Sequence, residues 1–363
     1  MFYGGDLQKW KKLANQLKLR MALRAQGATG ADFANTAITE AFQADVLTTA
    51  DENALMEKDT EIDQFANAAY GDVWHNFGGL GSKWTVGKTL IDYLRNNNDP
   101  RLSAYAKPIP GGEVVFTKPT EGDGAALFDT YVDFILQQLD DASVNYTRTD
   151  AAGTVTVTVA DDQDYYVGQP TRLNGEINPH VKKELFSEPA DWVINPKNQG
   201  LEIFPEIVMT AAEGNLLKAE AIVKGLASGD AQAFYQEGLR QAMLMWRVAE
   251  GDIDTFLATE DMALLNGSAE ENLEKIAIQR WIAAYTDGFE AWAIVRDTGY
   301  PAELAAGVSD YDIYSAGTLN GKYPQRMRYG NNEYNTNGAQ LDKALQQQGA
   351  DEQATTLWWA KGE

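Results

Sequence analysis

Gly5-Asp6-Leu7-Gln8-Lys9-Trp10-Lys11-Lys12-Leu13-Ala14-Asn15-Gln16-Leu17-Lys18-Leu19-Arg20 is the stretch on which the fold turns. Leu7, Trp10, Ala14, Leu17 and then Met21 recur at helical spacing, while Lys9, Lys11, Lys12 and Lys18 lie off that stripe. Residues 6–26 therefore read as an amphipathic helix, and Gly27 is a fair stop. Outward from it, residues 31–47 and 61–70 are weaker helical segments, and 85–96 is a helix built on Val86, Leu90, Ile91 and Leu94 that ends at Asp99-Pro100. Residues 127–139 are helical. Residues 213–226 carry Leu216, Leu217, Ile222 and Val223, with Glu220 set among them. Gly229-Asp230 is a stop followed by an N-cap, and 231–249 is the next helix. Ser268-Ala269-Glu270-Glu271 is a capping box. It opens a helix that Leu273, Ile276, Arg280, Trp281, Tyr285 and Trp292 carry towards Arg296. A short helix near 338–348 follows.

The middle of the chain differs. Residues 107–124 are rich in proline and glycine around an extended Val114-Val115-Phe116. Thr154-Val155-Thr156-Val157-Thr158-Val159 alternates without a break, as a half-buried strand does. Residues 161–205 have little periodicity and read as a long ordered loop region over the helices. The expected fold is mostly α, one compact domain over residues 1–363. Its helices come in pairs with short connectors, as in tetratricopeptide arrays, with a small β element near 113–116 and 154–159.

Composition narrows the function. The chain has 363 residues, 30 basic and 53 acidic, for a formal charge of −23. That charge repels phosphate backbones and anionic lipid, so no nucleic-acid partner is expected. There are no cysteines and only two histidines, His75 and His180, which excludes thiolate chemistry and a three-histidine zinc site within one chain. No apolar run is long enough for a membrane helix, and the start shows no signal-peptide pattern.

Six groups of residues, in order, resemble the SusD/RagB type of nutrient-binding outer-membrane lipoproteins. The first is the helix at 5–20. Next come Lys88-Thr89-Leu90-Ile91-Asp92 with Asn98-Asp99-Pro100-Arg101-Leu102, and Leu217-Lys218-Ala219-Glu220-Ala221 with Gly229-Asp230-Ala231. Ile278-Gln279-Arg280-Trp281-Ile282-Ala283 follows, with Glu290-Ala291-Trp292 and Arg296-Asp297-Thr298-Gly299-Tyr300-Pro301. The last are Pro324-Gln325-Arg326-Met327-Arg328-Tyr329 with Asn332-Glu333-Tyr334-Asn335, and Trp358-Trp359. Together they cover nearly the whole chain. The resemblance implies a non-catalytic binding protein on the outward face of an outer membrane. Such a protein captures glycans, or peptides in some branches, and delivers them to a TonB-dependent, SusC-like transporter. The family also begins with a secretion signal, a lipid-anchoring cysteine and further helical repeats. The sequence given does not carry them, so it is expected to be a partial product whose membrane attachment would run through an absent lipid anchor. Two other classes stay open, a helical protein-interaction scaffold and an all-α glycoside hydrolase.

Sugar rings stack their apolar faces on exposed aromatics while polar side chains bond the hydroxyls. Tyr70, Trp74, His75, Asn76 and Trp84 on the glycine-rich loop are the first candidate contacts, and Tyr165, Tyr166 and Arg172 the second. Trp10, Trp246, Trp281 and Trp292 sit on helix stripes and read as core. Asp161, Asp162 and Asp164 read as a solvated turn, and no cofactor or metal is expected. The Asp99-Pro100-Arg101, Arg296-Asp297 and Arg326/Arg328 groups read as structural, and Glu220, if buried, requires an arginine or a backbone N–H as partner.

Overall fold

The computed structural model describes residues 2–57, 84–193 and 202–360. The segment at 61–70 lies outside them. Ten longer helices carry the described fold. They are α1 (Leu7–Ala25), α2 (Ala34–Gln43), α3 (Lys88–Asn96), α4 (Phe128–Asp141), α5 (Ala211–Val223), α6 (Ala231–Met245), α7 (Glu250–Thr259), α8 (Ala269–Ala283), α9 (Gly288–Thr298) and α10 (Gly338–Gln348). The strands are β1 (Ala54–Met56), β2 (Gly112–Thr117), β3 (Tyr146–Ala151), β4 (Thr154–Val159) and β5 (Glu206–Met209). The mostly α fold with paired helices is what the sequence led one to expect: α1 packs on α2, α5 on α6 and α8 on α9.

The apolar stripe read along α1 is not its buried face. Leu7, Leu17 and Met21 are exposed, whereas Gln16, Leu19, Ala22 and Leu23 are buried against α2 and α5. The helix is apolar on two sides, and periodicity does not choose between them. The long helix expected from 268 to 296 is two helices. The capping box at Ser268 is present. The helix then stops at Ala283, Thr286 takes φ 80°, and the Asp287 carboxylate accepts the Glu290 N–H at 3.1 Å to start α9. A turn this short leaves the apolar period running almost uninterrupted across the break.

The helical body holds two large clusters. One joins Leu216, Tyr235, Phe256 and Ile276 from α5, α6, α7 and α8. The other joins α3 to Tyr105, Phe204, Trp246, Ile278 and Ile282. Beside them lies an antiparallel sheet in the order β2-β4-β3. Val155, Val157 and Val159 point inward onto Val132, Ile135 and Leu139 of α4, while the threonines between them face out. β3 escapes the sequence reading because it is an edge strand of polar, exposed residues, recruited only by its register with β4. β1 and β5 pair across a long stretch of chain.

Buried charges tie the helices together. Asp99 and Arg101 are buried and paired, with Arg101 Nε to Asp99 Oδ1 at 2.9 Å and Arg101 Nη2 to Gln279 at 2.5 Å. Glu220 has the arginine it requires: Arg280 Nη1 lies 2.6 Å away, and Lys224 Nζ lies 2.7 Å away. Burial pushes the Glu220 carboxyl up, but Arg280 and Lys224 outweigh it and hold it below the usual carboxylate range. Arg20 pairs with Glu213, and Arg24 reaches Glu290 at 2.6 Å, so one ionic network spans α1, α5, α8 and α9. Arg326 pairs with Asp351 at 2.8 Å. His180 is buried between the Phe128 and Tyr131 rings, and burial together with Lys182 lowers its pKa, so it sits in the core as a neutral ring.

Candidate functional site

The segment carrying Trp84 is held from both sides. Val86 N–H donates to the Ser187 carbonyl at 2.8 Å, and Gln169 N–H donates to the Val86 carbonyl at 2.9 Å. Lys88 N–H donates to the Gln169 carbonyl at 2.8 Å, and the Thr85 hydroxyl donates to the Gln169 amide oxygen at 2.6 Å. Gly168 permits this approach, because a Cβ there would stand 2.4 Å from Lys88 Cα. The pairing leaves Trp84 partly exposed at the end of a braced strip.

Trp84 forms one wall of a cavity of about 310 Å3. Leu90 of α3, Thr171, Trp281 of α8 and Tyr285 in the turn after it are among its other lining residues, and the lining is largely apolar. A second, more polar cleft of about 380 Å3 shares Thr85, Gly87 and Thr171 with it and adds Gln169, Arg172 and Asn178. Aromatic planes in one half and hydroxyl, amide and guanidinium groups in the other can hold an amphipathic ring or chain by stacking and hydrogen bonding.

The expected contacts distribute as follows. Trp84 and Arg172 come together around these joined cavities. Tyr165 does not join them: it is buried on the sheet core, with its hydroxyl donating to Asp162 at 2.7 Å. Its alternating partner Tyr166 points the other way, half-buried beside α3, where Arg95 bonds its carbonyl at 3.0 Å. Tyr70, Trp74, His75 and Asn76 lie outside the described residues. Arg172 has φ 63° and donates to the carbonyls of Gly321 at 2.8 Å and Lys322 at 3.4 Å, so it also pins the loop beyond Ser315. Asp161, Asp162 and Asp164 are exposed. No group of three or more His, Cys, Asp or Glu among the described residues could hold a metal ion.

Trp281 and Tyr285 escape a sequence reading as site residues. Trp281 was placed in the core by its helix stripe, and it does pack beside Tyr93 with ring centroids 6.5 Å apart. Its half-exposed surface lines the cavity as well. Helical periodicity carries no signal that separates those two roles.

Residues 1–118 and 129–330 match a SusD-like family described as starch-binding and associating with the outer membrane. The chain belongs to the SusD-like family. It is similar to a chitin-binding protein at 24% identity and TM-score 0.69, covering 99% of this chain and 66% of that one. A SusD homologue from Bacteroides uniformis gives 24% identity, TM-score 0.70, and coverage of 99% and 66%. One from Bacteroides fragilis gives 22%, 0.69, and coverage of 99% and 68%. At such identities the likeness establishes the fold alone. The SusD-like chain thus spans about two thirds of the length of these structures. No curated relative matches it. Among its described residues no helix is long and apolar enough to cross a membrane.

Proposed function

We propose that this SusD-like chain is a non-catalytic capture protein on the outward face of an outer membrane. It would bind an oligosaccharide at the Trp84 cavity and its polar annex, then deliver it to a TonB-dependent, SusC-like transporter, with membrane attachment through a lipid anchor. The observation that carries this is the continuity of an aromatic wall (Trp84, Trp281, Tyr285) with the Gln169–Arg172–Asn178 cleft. Tyr70, Trp74, His75 and Asn76 are further contacts in this proposal, while Tyr165 is withdrawn from it because its ring is occupied by the core. Residues 1–363 are taken as one unit.

The test is native electrophoresis in gels containing a panel of polysaccharides. Retardation on one or two polymers, without sugar release and lost in Trp84→Ala, is the expected result. Reducing sugar released from the retarding polymer would replace this reading by the glycoside hydrolase. A peptide ligand is the second reading, favoured by the largely apolar lining of the Trp84 cavity, which offers few groups to bond sugar hydroxyls. Free migration in every gel, with saturable binding of apolar peptides, would select it.

A further inference from the structure

Among the described residues, none that lines the Trp84 cavity or its polar annex is acidic. The chain as a whole carries 53 acidic residues in 363. Three other clefts each include a carboxylate in their walls. They hold Glu213 and Asp287 near Arg20, Asp252 beside Trp192, and Glu220 with Asp297 between α5, α8 and α9. The annex carries a cation instead, Arg172.

The charge of Arg172 is uncompensated. Of the twelve arginines in the chain, ten are paired with a carboxylate, and among the described residues Arg172 and Arg296 are not. Arg296 lies against the Trp292 ring at 3.9 Å, away from both cavities. Arg172 donates to the Gly321 and Lys322 carbonyls, which fixes its direction without neutralising it and leaves other N–H groups of the guanidinium to donate. Its φ of 63° is a left-handed conformation that favours glycine or asparagine, so an arginine is kept here against the backbone's preference. Lys322, whose carbonyl it holds, is exposed and also has no carboxylate partner among the described residues.

We infer that the Trp84 site is selective for an acidic oligosaccharide, whose sugar ring stacks on Trp84 and whose anionic group, a uronate carboxylate or a sulfate ester, meets Arg172. This rests on the reading of that site as a glycan site and narrows its substrate class. Thr85 and Thr171 line both cavities and are the chain neighbours of Trp84 and Arg172, so the stacking plane and the cation flank one shared wall. The Gln169 amide oxygen is taken by the Thr85 hydroxyl, so Gln169 offers its N–H groups, and the annex is rich in donors for an acceptor-rich ligand. A charge-assisted contact from guanidinium to a paired-oxygen anion is the strong form of such a bond. The charge of −23 opposes an anion at a distance, but at physiological salt that repulsion is screened beyond about 8 Å, and no carboxylate in the described lining opposes it at contact.

The experiment is calorimetric titration of the full chain at pH 7.5 in physiological salt with four sugars. They are trigalacturonate, its full methyl ester, a sulfated carrageenan oligosaccharide and maltotriose. Saturable binding of trigalacturonate or of the sulfated sugar is expected, and whichever binds more tightly identifies the anion. The methyl ester keeps the rings and linkages but not the charge, and should bind at least tenfold more weakly than the acid. Trp84→Ala should abolish binding of the acid. Arg172→Gln should bring the acid down to the affinity of the ester. Because Arg172 also pins a loop, Arg172→Lys is the second variant: it keeps the charge and should retain a preference for acid over ester. Trp84-dependent binding of the ester or of maltotriose as tight as that of either acidic sugar would overturn this inference and leave the capture reading standing. Loss of acid and ester in equal proportion in both Arg172 variants would also overturn it, by showing a loop-pinning role alone. Failure of every sugar to bind would end both readings.

Discussion

Asp297→Asn should stabilise the unliganded chain at neutral pH. Asn keeps the shape of the side chain and removes a charge that burial disfavours. The Asp297 carboxyl moves from an ordinary 3.8 to about 6. A shift of about two units corresponds to ~3 kcal/mol between the protonation states. The raised value means that the folded chain binds this proton more tightly than the unfolded chain does. Ionised Asp297 therefore costs stability above pH 6. The cost fades as pH falls through 6 and is gone only well below 3.8, where the group is protonated in both states. The attractions of Arg24, Arg280 and Lys224 are already contained in the shift, and the side chain is too little exposed for water to screen most of it. Urea melts of the wild type and the variant, at pH 7.5 and 4.5, measure the difference. The variant should be more stable by ~2–3 kcal/mol at pH 7.5 and by only ~1 kcal/mol at pH 4.5. A variant less stable than the wild type at pH 7.5 would refute the reasoning, because Asp297 would then be gaining more from Arg24, 3.7 Å away, and its other cationic neighbours than burial costs it.

Arg280→Met should cost about 3 kcal/mol, since it strips the 2.6 Å partner from buried Glu220 while Lys224 keeps the other oxygen; urea melts read it, and an unchanged midpoint would deny the network its role. In Gly168→Ala the new Cβ meets Lys88 Cα at 2.4 Å, so about 1–3 kcal/mol should be lost. Tryptophan emission should also shift to the red as the Trp84 strip loosens, whereas an unaltered spectrum and midpoint would count against that packing. Ser268→Ala removes half of the capping box on α8 and should cost ~1 kcal/mol by the same melts.

Much of the helical architecture was legible because it is written in local terms. The helix positions of α1, α5 and α6, the Ser268 capping box and the alternating β4 follow from spacing and caps within short windows. So did the demand that Glu220 find a cation, since a carboxylate amid Leu216, Leu217 and Ile222 has few alternatives. β3 was not legible, because its polar residues are a strand only by pairing with β4. The α8–α9 break was marked by Asp287 three residues before Glu290, a cap signal that the surrounding apolar period obscured.

By itself the sequence determined the helical class, several of the helix starts, the strong negative charge and the exclusion of thiol chemistry. Each depends on composition or on neighbours along the chain. Only the tertiary structure decided which side of α1 is buried, which of Tyr165 and Tyr166 enters the sheet core, and that Trp281 joins Trp84 at one cavity. It also decided that, among the described residues, Asp297 holds only a 3.7 Å ion pair with Arg24 and no hydrogen bond, while Glu220 and Glu290 are paired at 2.6 Å. These outcomes depend on surfaces brought together from distant parts of the chain, where packing and charge pairing select among faces that periodicity leaves equivalent.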